Sequence, residues 1–146
     1  KSLAANPNLQ HLPPLQVFDA SVNALTDAGL LVILNNHISS AGWCCDDFDG
    51  EGLWYTSAYP EEYFFDALAS MARRYKGNPL VCGFDLRNEI RSSWHGLPTW
   101  GTGDLSTDWS VAATKAGLRV LAENTDMLII VSALFYGTFL CAVPAN

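Results

Sequence analysis

Positive charge is scarce in this sequence. Eight Lys and Arg stand against fifteen Asp and Glu, a net charge of −7 over 146 residues. A phosphate backbone needs a basic face, so DNA and RNA are excluded as main partners. Cysteine is sparse as well, and Cys44, Cys45, Cys82 and Cys141 include no C-x-x-C pair. That removes the usual zinc framework. Cys44 and Cys45 keep two readings: a bridge to a distant partner, as suits a secreted protein, or free buried thiols. Repeats and low-complexity tracts are missing. The dinucleotide fingerprint is incomplete, because Gly101-Thr-Gly103 has Ser106 in place of the third glycine and no strand before it. The acidic run from Cys45 to Gly50 fails as a calcium loop, with Cys45 and Thr56 where acids are required. No cofactor and no metal is therefore expected.

Two further absences concern the ends of the chain and a membrane. Met127 to Ala145 carries no charge, but Ser132, Tyr136, Gly137, Thr138 and Pro144 interrupt it, and no Lys or Arg follows Arg119 to anchor a span. A buried strand followed by a loop is the better reading. The chain opens at Lys1 without an initiator Met or an apolar leader and closes at Asn146 without a capping signal. A piece of a longer chain is expected.

What is present is a globular composition, 49% apolar and 16% charged, enough for a sizeable core. Pro13-Pro14 opens a helical pattern whose apolar face is Leu15, Phe18, Val22 and Leu25, and Gly29 stops it. Leu30–Leu34 follows as a short apolar run, expected to be a strand buried on both faces. A long loop covers 37–59. Pro60-Glu61-Glu62 starts a second helix with stripe Phe64, Leu68, Met71 and Tyr75, and Gly77-Asn78-Pro79 ends it. Leu80–Leu86 reads as a second strand, and a loop of 91–106 follows. A third helix, about 108–123 and capped by Ser106 or Thr107, buries Trp109, Ala112, Ala116 and Val120. Leu128–Val131 is the third strand. The order αβαβαβ, with long loops after the strands, predicts an α/β fold of about three parallel strands alternating with helices. Ligand sites in such folds lie at the strands' C-terminal ends.

Two of those ends carry chemistry. In Gly83-Phe-Asp-Leu-Arg-Asn-Glu-Ile-Arg91, strand period two puts Val81, Gly83, Asp85, Arg87 and Glu89 on one face. Asp85 and Arg87 are expected to pair with each other or with neighbours, and Asn88 to offer its amide to a sugar hydroxyl. After the first strand, parity groups His37 with Leu31, Ile33 and Asn35, which brings His37 and Glu89 to one rim. Trp43, Trp54, Trp94 and Trp100 sit in loops, where an exposed indole is a stacking surface for sugar rings.

The ordered set Leu34-Asn-Asn-His-Ile-Ser39, Trp43-Cys-Cys45, Asp49-Gly-Glu-Gly-Leu-Trp54 and Leu86-Arg-Asn-Glu-Ile-Arg91 resembles glycoside hydrolase family 5, in its cellulase-like branch. The likeness runs from about Asn6 to Leu140. It implies a secreted (β/α)8 TIM barrel that cleaves β-glycosidic bonds with retention. This chain would then be a partial barrel spanning roughly strands 3 to 5, a single unit over residues 1–146. The resemblance makes Glu89 the catalytic acid/base. It makes His37, Asn88, Tyr136 and Trp43 substrate-binding. An Asp is usual in the family where Asn35 stands, and a Gly where Ala133 stands. The family's nucleophile, a second Glu, lies on a later strand. No acid follows Asp126, Asp85 is about 13 Å from Glu89 at strand rise, and Asp46, Asp47, Asp49 and Glu51 read as solvated loop acids. The expected partner is a polysaccharide or oligosaccharide such as a β-glucan, acted on by a protein that is monomeric when complete. The alternative is a catalytically inactive sugar-binding relative or a non-functional truncated fragment.

Overall fold

The computed structural model describes residues 3–42, 44–47 and 49–140. A short 3-10 turn at Pro7–Leu9 leads into α1 (Pro14–Asp27), β1 (Val32–Asn35), α2 (Glu61–Tyr75), β2 (Val81–Asp85), α3 (Trp109–Glu123) and β3 (Leu128–Ile130). The three strands form one parallel sheet in the order β1-β2-β3. This is the predicted alternation, each element falling within two residues of its expected bounds.

Local chemistry explains the elements. α2 has Glu61 and Glu62 in its first turn and Arg73 and Arg74 in its last, so both ends complement the helix dipole. Asp108, and neither Ser106 nor Thr107, caps α3. Its carboxylate accepts from the backbone N–H groups of Ser110 (3.0 Å), Gly101 (3.0 Å) and Gly103 (2.7 Å). Burial alone would raise the carboxyl's pKa. The hydrogen bonds from Ser110, Gly103 and Gly101 outweigh burial and hold it at about 2. A carboxylate cap five and seven residues beyond the loop's glycines satisfies more donors than a hydroxyl can.

The core lies between the sheet, α2 and α3. Phe65, Leu68, Ala72, Ala116, Val120 and Leu86 are buried there. Trp54 and Trp109 are fully buried with ring centroids 5.5 Å apart. Trp54 donates its indole N–H to Glu61 (2.8 Å) and Trp109 donates to the Ser132 carbonyl (2.9 Å), which satisfies the polar handle each ring takes inside. Trp54 is thus a core residue and no stacking platform. Gly117 lets α3 approach β3, since a Cβ there would meet Ile129 at 3.3 Å.

Two expectations about burial fail together. α1 buries only Val22 and Thr26, and Leu15, Phe18 and Leu25 of its predicted inner face are exposed. β1 alternates instead of being covered on both faces: Val32 and Leu34 are buried while Leu31 and Ile33 are 69% and 52% exposed. An apolar run reports the character of both faces but not whether a partner covers each one. Among the described residues no helix is long and apolar enough to cross a membrane.

Candidate active site

Glu89 sits four residues past the last β2 residue, on backbone that has left the sheet. Its φ is 46°, a left-handed conformation that costs a non-glycine residue about 1 kcal/mol or more. The surroundings hold it there. Arg91 donates to the Glu89 carbonyl (3.0 Å), the Asn88 N–H donates to the Asn36 carbonyl (2.9 Å), and the Arg91 N–H donates to the Gly52 carbonyl (2.9 Å). One local and two long-range bonds thus enforce a conformation that the local sequence disfavours.

That side chain faces a cleft of about 520 Å³ lined by His37, Gly42, Cys44, Cys45 and Glu89. The structure therefore brings the two predicted strand-end residues to one rim. Asn88, the neighbour of Glu89, turns its amide Nδ2 toward the sulfurs of Cys44 (3.8 Å) and Cys45 (3.5 Å). Tyr136 lies on a tight turn after β3 in which Phe135 and Tyr136 both have positive φ. Its hydroxyl contacts the Asp47 carboxylate, and its ring lies 5.9 Å from the Arg91 guanidinium. Trp43 lies outside the described residues. Trp94 is exposed, and Trp100 packs against the core.

A polar row beneath the rim fixes His37. Asn35 donates through Nδ2 to Asp85 (2.8 Å), Ser132 donates to the other Asp85 oxygen (3.5 Å), and Asn35 Oδ1 lies 2.9 Å from His37 Nδ1. An ionised carboxylate only accepts, so the Asn35 amide can point only one way. Its oxygen then faces the imidazole, and Nδ1 must carry the proton. The sequence expectation paired Asp85 with Arg87 or with neighbours; the neighbours Asn35 and Ser132 are its partners.

The loop acids correct a second expectation. Glu51 is buried, not solvated, and forms an ion pair with Arg87, which is 1% exposed (Nη2–Oε2 2.9 Å). Burial pushes the Glu51 pKa up, but hydrogen bonds from the Ser40 hydroxyl, the Ser39 backbone and Arg87 prevail and bring it to about 2. Arg87 also donates to Asn36 (2.8 Å), and its burial lowers its own pKa. Both Asp49 carboxylate oxygens accept from the same Arg91 nitrogen, Nη2 (2.7 and 2.6 Å), a charge-assisted pair. Each acid is committed to an arginine, so neither is free to serve as a nucleophile. Two acids, Asp49 and Glu51, and two arginines, Arg87 and Arg91, were the sequence signal, visible only once the two segments are known to touch.

Cys44 and Cys45 pair with each other in a disulfide, which replaces the expected distant bridge or free thiols; Cys82 is free. His37 and the two sulfurs place their ligand atoms within 4.8 Å of one another. A disulfide sulfur is not a thiolate donor, so in this oxidised form only the imidazole has metal-ligand character.

The family model for cellulase, glycosyl hydrolase family 5, matches residues 2–140. The chain belongs to glycosyl hydrolase family 5. Within family 5 it is similar to an endoglucanase of Paenibacillus polymyxa, 40% identical over 129 residues that make up 88% of this chain and 30% of that protein. It is 36% identical to the major extracellular endoglucanase of Xanthomonas campestris pv. campestris, over 88% of this chain and 25% of that one. Among solved structures, the endocellulase of Pyrococcus horikoshii superposes with a TM-score of 0.84 at 28% identity, over 97% of this chain and 42% of that one. The catalytic domain of the Xanthomonas enzyme gives 0.81 at 32%, over 99% and 43%. The three strands and their helices are thus part of a family 5 TIM barrel. The chain spans under a third of the curated relatives and under half of the solved structures it matches.

Proposed function

We propose that this chain supplies the acid/base half of a retaining family 5 endo-β-glucanase site. The observation that carries the reading is Glu89, held at left-handed φ beside His37 at the C-terminal rim of the sheet. Retention needs two carboxylates about 5–5.5 Å apart. The nearby acids Glu51 and Asp49 are bound to arginines, in keeping with the family resemblance, which puts the second carboxylate on a later strand. Glu89, protonated, gives its proton to the glycosidic oxygen as that nucleophile attacks the anomeric carbon and the C–O bond breaks. As carboxylate it then takes a proton from the water that attacks the glycosyl-enzyme, releasing the nucleophile and restoring the acid.

His37 and Asn88 hydrogen-bond the sugar and the nucleophile's surroundings. Tyr136 lines the path of the chain, and the family resemblance gives Trp43 a substrate-binding role. The substrate is a β-linked glucan, in keeping with the endoglucanase names of the relatives. A solved complex of the Pyrococcus endocellulase, similar at TM-score 0.83 and 27% identity, holds cellotetraose. The complete protein acts outside the cell as a monomer. Secretion is in keeping with the extracellular Xanthomonas relative.

The test is Glu89→Gln in the full-length protein, assayed on a soluble β-glucan. The amide cannot donate the proton, so turnover falls by about 10²–10⁴-fold while binding of cellotetraose persists. Unchanged hydrolysis removes Glu89 from the mechanism. A full-length wild-type protein that binds cellotetraose without cleaving it identifies the inactive sugar-binding relative instead.

A further inference from the structure

One wall of the Glu89 cleft is made of sulfur, and the reading above gives it no role. We propose that the Cys44–Cys45 disulfide is a sugar-contact surface, presenting its two adjoining sulfurs to the apolar C–H face of the β-linked glucose unit bound beside Glu89. The proposal rests on the glucanase reading and adds a specific contact to it.

Three observations support it. The first is that the bridge does little for stability. A disulfide stabilises chiefly by closing a loop of the unfolded chain, and the gain grows with loop length. Here the linked residues are adjacent, so there is almost no loop to close. The second is placement. Both cysteines are half-buried and line the cleft with His37 and Glu89, whereas a bridge serving only the fold belongs in the core. The Asn88 amide lies 3.8 and 3.5 Å from the two sulfurs, which registers the pair to the strand end that carries Glu89.

The third is chemistry. Two free thiols within 4.8 Å of His37 would form a reactive, metal-binding cluster in the middle of a sugar site. Oxidised to each other they are neutral and polarizable, and at most weak hydrogen-bond acceptors. A pyranose ring has a face of C–H bonds that gains from such a partner and a rim of hydroxyls that needs polar groups. His37 and Glu89 supply the polar groups at the same cleft. Among the described residues the lining contains no Phe, Tyr or Trp, and its side chains other than the two cysteines are the polar His37 and Glu89, so there the apolar contact falls to the sulfurs.

The experiment uses the full-length protein carrying Glu89→Gln, so that cellotetraose binds without being cleaved. Cellotetraose is titrated calorimetrically into this protein, and into the same protein with Cys44→Ser and Cys45→Ser added. A third titration follows reduction of the original by a phosphine, in which the phosphine gains the oxygen of one water and the sulfurs gain two protons. Reduction alters the pair in an already folded molecule, so the answer does not depend on the double variant folding. The expected result is a Kd raised roughly tenfold both by reduction and by substitution, with the thermal midpoint of the double variant nearly unchanged. With Glu89 restored, the double variant raises KM more than it lowers kcat. An affinity for cellotetraose within twofold of the parent, with the sulfurs reduced or replaced, overturns the proposal and leaves the glucanase reading standing. A wild-type protein that neither binds nor cleaves cellotetraose overturns both.

Discussion

The chain leaves β2 and β3 in two different ways. After β2 it passes through Arg87, Ile90 and Arg91, each at most 2% exposed, with both guanidiniums locked to carboxylates of the preceding loop. After β3 it turns through Phe135 and Tyr136 and runs out along Phe139 and Leu140, which are exposed. There the ties to the rest of the site are a backbone bond from Tyr136 to Ile90 (3.3 Å), the Tyr136–Asp47 contact and the ring beside Arg91. One exit is built of buried charge; the other buries the apolar Ala133 and Leu134 and then relies on surface contacts. The difference suits the roles proposed for Glu89 and Tyr136. A proton donor has to be placed within a few tenths of an ångström, while an aromatic at the edge of a cleft only has to follow a sugar surface.

Breaking the rigid exit has the largest expected effect. Arg87→Ala leaves the Glu51 carboxylate buried and uncompensated, and stability of the full-length protein falls by about 3–5 kcal/mol in a denaturant melt. A loss below about 1 kcal/mol would mean that water reaches Glu51 and that this exit is no more rigid than the other. The pH dependence sharpens the same point at smaller amplitude. Glu51 is held at about 2 against an ordinary 4.5, so its contribution is complete above pH 4.5 and is lost as pH falls toward 2. Asp19 and Asp108, also near 2, act with the same sign. The melting temperature should therefore fall between pH 4.5 and 2, and Glu51→Gln should lower the stability at pH 7 while making that fall shallower. An unchanged slope would remove Glu51 from the effect. The smallest change is at the other exit. Tyr136→Phe removes one exposed hydroxyl contact and should cost under about 1 kcal/mol, read in the same melt. A cost equal to that of Arg87→Ala would erase the contrast.

The contrast also marks the limit of what the sequence conveys. The stripes of α2 and α3, the breakers at Gly77 and Pro79, and the alternation of elements are local signals of period 3.6 or of single residues, and they were legible. Glu89 and His37 at one rim followed from strand parity and parallel pairing. A partial barrel is expected to leave edge strands bare and apolar surface exposed, but which faces of α1 and β1 would be so was not legible, because covering them depends on partners no local pattern names. The Arg87–Glu51 and Arg91–Asp49 pairs join residues 36 and 42 apart, a distance at which charge pattern says nothing about contact. Asp108 was overlooked as a cap because the hydroxyls before it are equally good candidates until the loop glycines are seen to point their N–H groups at its carboxylate. The mutual Cys44–Cys45 bridge was overlooked because adjacent cysteines more readily suggest separate partners.

The row from Ser132 through Asp85 and Asn35 to His37 has a polarity, and one carboxylate sets it. Add a proton to the Asp85 oxygen that faces Asn35 and that oxygen becomes a donor. The Asn35 amide must then turn its oxygen inward to accept it, and its NH2 outward. His37 Nδ1 would meet a donor where it met an acceptor, so the ring would carry its proton on Nε2 instead. A single proton at the floor of the sheet is in this way relayed to the rim as an exchange of acceptor for donor, with no movement of the backbone and no charge carried along the row.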